Sequence, residues 1–283
     1  MTEVNYRLSN GVLKPICIPL SLTTFVVNSF QIKSYLNHWL DAVDDHSIHS
    51  PFFYDFYTQV IFGKSQPRLE IEKTRARLLS NRNLVSVRDL GASSPHFKKE
   101  MREIARVAAT SLNEEKFCLL FYRIAQYIEA KRIVELGTSM GITSLYLSQA
   151  SGSQLATFEG NPAMINIALT NFEYFERKNI HLVEGNIDQT LPDHLQNPAK
   201  IDFALIDANH RFEPTIRYFN WLARRMGDHG VLVVDDIYYS QEMGRAWNEI
   251  KKHDLVYGSI DLFRCGILFF DLALNKQHFI WKY

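Results

Sequence analysis

Three carboxylates close two apolar runs of this chain. Asp207 ends IDFALID, and Asp235 and Asp236 end GVLVVDD. His210 follows Asp207 by three residues, in LIDANH. Carboxylates that converge on one cleft repel one another unless they are protonated or bridged by a cation. A hard divalent ion with oxygen ligands, Mg²⁺ being the usual one, would bridge Asp207, Asp235 and Asp236. Without a metal, His210 is the natural general base, because an imidazole titrates near neutrality. The residues alone leave these two readings open. They also leave open a plainer one, in which one Asp caps a helix, another pairs with Arg211 or Arg245, and His210 is a surface turn residue.

A second stretch, IVELGTSMGITSLYL at 133–147, reads as a buried strand, a glycine turn and a helix start. A phosphate loop needs Lys followed by Ser or Thr after its glycines, and none follows here. A dinucleotide turn needs G-x-G-x-x-G; here Gly137 and Gly141 are present, but Ser139 stands at the middle glycine. Glu135 lies just before the turn, where it would repel a diphosphate and welcome a cation. Glu159 ends the next strand, ATFEG, placed to accept hydrogen bonds from two ribose hydroxyls. A ligand with a ribose, a positive centre and no phosphate fits: S-adenosylmethionine. The competing reading is a turn that packs helix on strand and holds no ligand.

These residues together, E-x-G-T-S-x-G, an acidic second strand end, LIDANH and VLVVDDIYYS, resemble the class I S-adenosylmethionine-dependent methyltransferases over about residues 117–283. The likeness is nearest to small-molecule O-methyltransferases of the catechol and caffeoyl-CoA type. HSIHSPFFYDFY and DLGASS resemble an uncharacterised bacterial branch. The resemblance implies cofactor contacts from Glu135, Gly137, Thr138, Ser139, Gly141, Glu159, Gly160 and Asp207, with Asn186 beside the adenine where many relatives place Asp. It implies a metal on Asp207, Asp235 and Asp236, the last replacing an Asn of catechol-type enzymes. Asp207, His210 and Asp236 are the expected catalytic residues. His49, Ser50 and Tyr238 are the expected substrate contacts.

The elements that must position these residues follow from periodicity. From residue 131, strand-like runs alternate with helical ones (RIVELG, QLATFEG, IHLVEG, IDFALID, GVLVVDD), which argues for a parallel sheet covered on both faces. The short link DLFRCG between later runs suits an antiparallel hairpin. The expectation is an α/β, Rossmann-like, doubly wound sheet of seven strands, mostly parallel with an antiparallel C-terminal hairpin, preceded by a helical N-terminal extension. Its divisions are an apolar arm at 1–30, a helical lid at 31–116 and the catalytic domain at 117–283. In the extension, FQIKSYLNHWLDAV carries an amphipathic stripe, and Ser50 and Pro51 suit a helix start. EIEKTRARLLS and HFKKEMREIARVAATS read as exposed helices, and NEEKFCLLFYRIAQYIEA as a buried one.

Lys plus Arg and Asp plus Glu both number 31, so no global field draws nucleic acid or anionic membrane. Residues 64–106 alone are basic, with eleven Lys or Arg against five Asp or Glu. Three widely spaced cysteines, Cys17, Cys118 and Cys265, suit a reducing cytoplasm. ICIPLSLTTFVV at 16–27 is too short to span a bilayer and lacks the marks of a signal peptide. The expectation is therefore a cytoplasmic methyltransferase acting on a hydroxyl of a small metabolite. The alternatives are methylation of RNA or protein through the basic helices, and cofactor binding without turnover. The oligomeric state stays open, a homodimer among the options.

Overall fold

The computed structural model describes residues 29–87 and 100–283, apart from the side chain of Asp45. Cys17, nearly all of the expected apolar arm at 1–30, and DLGASS lie outside the described residues.

The C-terminal half is one sheet. Strands β3 (Arg132–Leu136), β4 (Gln154–Glu159), β5 (Ile180–Glu184), β6 (Ile201–Ile206) and β7 (Met226–Asp235) are parallel, with β8 (Gly258–Asp261) and β9 (Cys265–Phe269) forming the antiparallel hairpin. Helices α6 (Ile142–Leu147), α7 (Pro162–Tyr174), α8 (Ile187–His194), α9 (Phe212–Ala223) and α10 (Gln241–Ile250) fill the crossovers. With a last strand β10 (Gln277–Ile280), the strand order is β10-β8-β9-β7-β6-β3-β4-β5. The doubly wound sheet is as expected, but it has eight strands. The C-terminal HFIWKY supplies β10 (Gln277–Ile280), which pairs parallel to β8 at the edge. Four residues are enough for an edge strand because β8 supplies the whole ladder.

Alternation along the strands builds two cores. Ile133, Phe203, Leu205, Val231 and Val233 face one side, while Val134, Ala204, Ile206, Leu232 and Val234 face the other. Both faces are covered, so the strands read as continuous apolar runs. The first core takes Phe53 and Phe56 of α2 (Pro51–Phe56) and much of α5 (Glu115–Tyr127). Phe53 and Phe56 each meet Phe269 edge-on.

The extension departs from expectation in three places. The stretch read as a helix from His96 begins as a strand where it is described: β2 (Glu100–Glu103) pairs antiparallel with β1 (Leu84–Val87), and α4 (Ile104–Ser111) starts only after it. LVSV is rich in β-formers but too short to show a period, and pairing with it overrides the helical pattern. The helix α3 (Leu69–Ser80) is half-buried, with Ile71, Thr74, Arg75 and Leu78 turned inward. On α1 (Ser29–Asp41) the apolar stripe of Ile32, Tyr35, Leu36, Trp39 and Leu40 is exposed, and His38 is the buried residue, against Asp261. Among the described residues no helix is long and apolar enough to cross a membrane, and Cys118 and Cys265 are buried and unpaired.

Candidate active site

In this sheet the chain reverses direction between β3 and β6, and ligands of doubly wound sheets bind beyond the carboxyl ends at that switch. A cleft of about 650 Å³ opens there, within the usual range for small-molecule sites. The glycine turn forms its floor. Gly137 has φ +101°, and a Cβ on it would lie 2.0 Å from the backbone oxygen of Asp207. Only glycine lets β3 end against β6 so closely. Gly141 has φ +83° and opens α6, with the Phe172 ring where its Cβ would be.

Glu159 stands on one wall. Its Oε2 accepts from the Ser139 amide at 2.9 Å, and its Oε1 from the amides of Gly160 and Asn161 at 2.9 and 2.8 Å. Burial pushes its carboxyl up, and these three amides pull it back. Gly137, Ser139, Gly160, Asn161 and Asn186 line the cleft around it. Asn186 also caps α8, accepting from the Asp188 amide at 3.0 Å. Ser111 of α4 meets Ser139 at 2.9 Å and so ties the extension to the turn.

The same cleft holds a charged cluster. His210 sits between two carboxylates, 3.7 Å from Asp207 and 3.9 Å from Asp236, with the Tyr239 ring 5.8 Å away. Asn209, His210 and Asp236 all have positive φ, at 69°, 35° and 55°. Such strain in non-glycine residues gathers where a site imposes it. Asp207 accepts from Asn113 Nδ2 at 2.7 Å. Burial first, then the charges of Asp235 and Asp236, push its carboxyl well above the ordinary range, against the pull of Arg264.

Arg264 neutralises the cluster. Its Nε and Nη2 reach the two oxygens of Asp235 at 3.2 and 3.0 Å, its Nε also reaches Asp236 at 2.8 Å, and its Nη2 reaches Asn113 at 3.0 Å. The hairpin register brings it there: Asp235 pairs with Cys265, so the neighbouring residue falls on the strand-end carboxylates. Metal oxygens lie at about 2.0–2.6 Å from Mg²⁺ or Ca²⁺, and both oxygens of fully buried Asp235 are committed to the guanidinium. Among the described residues no group of three His, Cys, Asp or Glu side chains is arranged to hold a metal. The ligand set Asp207, Asp235 and Asp236 is thus brought near but not assembled, and a metal does not fit it.

Other expected site residues lie off the cleft surface. Glu135 is fully buried beneath the turn, where its Oε2 accepts from Ser144 and Thr157 while Oε1 has no partner among the described residues. Thr138 is buried against Thr157, and Asp235 is buried behind Arg264. Tyr238 points away from the cleft: its hydroxyl donates to Asp261 at 2.8 Å and its ring stacks on Phe263, while its neighbour Tyr239 lines the cleft. Which of two adjacent tyrosines faces a cleft depends on the backbone turn after β7. His49 and Ser50 are away from the lining as well, because α2 is anchored in the core by Phe53 and Phe56. From the extension, the described lining comes from Arg102, Thr110, Ser111, Leu112 and Asn113, and α1 to α3 contribute none of it. The sequence reading missed Asn113, Tyr239 and Arg264; a lone arginine in the hairpin link was the available signal for the last.

Residues 134–237 match a family model described as a methyltransferase domain. The chain carries a methyltransferase domain. It is 29% identical over 138 residues to a catechol O-methyltransferase of Mycobacterium tuberculosis, covering 48% of this chain and 59% of that protein. With a catechol O-methyltransferase of Niastella koreensis it shares 30% over 132 residues, 45% of this chain and 57% of the relative. The chain therefore spans less than two thirds of either relative. Among solved structures, the O-methyltransferase TomG of Streptomyces achromogenes, involved in tomaymycin synthesis and bound to S-adenosylmethionine, aligns with TM-score 0.52 at 17% identity, over 77% of this chain and 95% of that one. A Podospora anserina methyltransferase bound to S-adenosylhomocysteine aligns with TM-score 0.51 at 14% identity, over 73% of this chain and 97% of that one. At such identities the likeness is one of fold, and it places the methyltransferase domain in the same Rossmann-like class.

Proposed function

We propose that the protein is an S-adenosylmethionine-dependent O-methyltransferase that acts on a hydroxyl of a small molecule. The observation that carries this reading is the presence, in one cleft, of a Glu159 carboxylate fixed by three backbone amides and a histidine lying between two carboxylates. The bound cofactor would supply a methyl group whose bond to sulfur breaks, sulfur keeping the electron pair, as the acceptor oxygen bonds to it. Ser139, Gly160 and Asn161 hold the Glu159 carboxylate in place to accept from the ribose. Gly137 and Asn186 border the same space, and buried Glu135 clamps α6 to β4 through Ser144 and Thr157. His210 takes the acceptor's proton, and Asp207 and Asp236 stabilise the imidazolium that results. The metal-free branch of the two sequence readings is preferred because Asp235 is spent on Arg264.

Purified protein incubated with methyl-labelled cofactor and a cell extract should label a small hydroxylated compound. His210→Ala should lower that turnover by about 10²–10⁴-fold, the usual scale for a general base, while S-adenosylhomocysteine affinity stays unchanged. Label on RNA or protein, or full turnover by His210→Ala, would refute the reading.

A further inference from the structure

Asp207, Asp235 and Asp236 crowd one end of the cleft, where burial and mutual repulsion push the carboxyls of Asp207 and Asp236 up and a nearby cation relieves them. The chain provides one. Arg264 forks onto both oxygens of Asp235, shares its Nε with Asp236 and fixes Asn113, which in turn donates to Asp207. Its guanidinium therefore touches every carboxylate of the cluster directly or through one amide. Bidentate arginine contacts of this kind are oriented as well as charged, and the group stays protonated at any working pH. The Phe117 ring packs beneath it at 5.6 Å, and the side chain is still 34% exposed on the cleft. Its Nη1 makes no hydrogen bond to any described residue.

We infer that Arg264 is a built-in cation standing where these carboxylates would otherwise gather a divalent ion. Its Nη1, without a hydrogen bond to any described residue, is the contact for the acceptor oxygen, so the site takes an acceptor presenting one oxygen and not a chelating vicinal pair. A metal ion with open coordination positions can hold two neighbouring oxygens at once; a guanidinium with one unspent nitrogen orients a single oxygen beside His210. The claim about the acceptor rests on the methyltransferase reading. The claim about the cation does not.

The test is Mn²⁺ uptake by the full-length protein, read from the paramagnetic resonance signal of free Mn²⁺. Wild type should leave the signal intact at millimolar Mn²⁺. Arg264→Ala should take up one ion per chain, and adding Asp236→Ala, which removes an oxygen ligand outright, should abolish that uptake. If Arg264→Ala does not fold by circular dichroism, Arg264→Gln, which keeps the length and a hydrogen-bonding end, should behave in its place. Stoichiometric uptake by wild type overturns the inference, and so does a folded Arg264 variant that takes up no metal. In the extract assay, labelling should withstand EDTA, and labelling lost to EDTA and restored by Mg²⁺ also overturns it. Failure of the extract to be labelled at all would count against the methyltransferase reading and leave the Mn²⁺ result to decide the cation.

Discussion

Glu135 shows at the scale of one residue what the site demands of its surroundings. Its carboxyl is fully buried, and burial pushes it from an ordinary 4.5 up to about 7, against the hydroxyls of Ser144 and Thr157. The folded chain thus keeps a proton that the unfolded chain releases. Its contribution is fully present below pH 4.5 and is lost as pH rises towards about 7. The loss is worth at most about 3 kcal/mol. Urea unfolding across this window should show wild type losing stability relative to Glu135→Gln as pH rises, and parallel curves would refute the assignment. Glu159, Asp207, His210 and Asp236 were legible in the sequence because each ends a strand or follows one closely, and strand ends meet at the switch. Arg264 and Asn113 were not legible, since they lie 151 residues apart and meet only through the hairpin register and the turn after α4.

At the scale of elements, the glycine turn is what lets β3, β6 and α6 share one end of the sheet. A Cβ at Gly137 would collide with the backbone of Asp207, which cannot swing aside as a side chain can. Gly137→Ala should therefore lose more than the roughly 1–3 kcal/mol of local backbone strain, and cofactor affinity with it. Gly152→Ala is the comparison: φ there is +72°, but the nearest atoms belong to the flexible Lys131 side chain at 3.3 Å. Thermal melts should place Gly137→Ala well below Gly152→Ala, and equal midpoints would contradict the close-approach account. The five parallel strands and their helices were legible from the βαβ rhythm, whose long apolar runs follow from burial on both faces. The β1–β2 pair, the docking of β10 on the sheet edge and the outward stripe of α1 were not, because pairing and docking, and not local period, decide them.

Over the whole molecule, Glu159 and the charged cluster line one cleft, and the extension touches it through β2, α4 and the residues just after. Within the basic segment 64–106, Lys73, Arg75, Arg102 and Arg106 pair with Glu70, Glu72, Glu100 and Glu103 of the same segment. The central claim is that this cleft holds S-adenosylmethionine through Glu159 and has no place for a dinucleotide pyrophosphate. Calorimetric titration with S-adenosylhomocysteine tests it most directly. Wild type should bind at one site per chain, Glu159→Ala should bind more weakly by about 1.5–3 kcal/mol for the lost charge-assisted bond, and nicotinamide dinucleotides should give no heat. Dinucleotide binding with no response to the sulfur ligand would contradict the account.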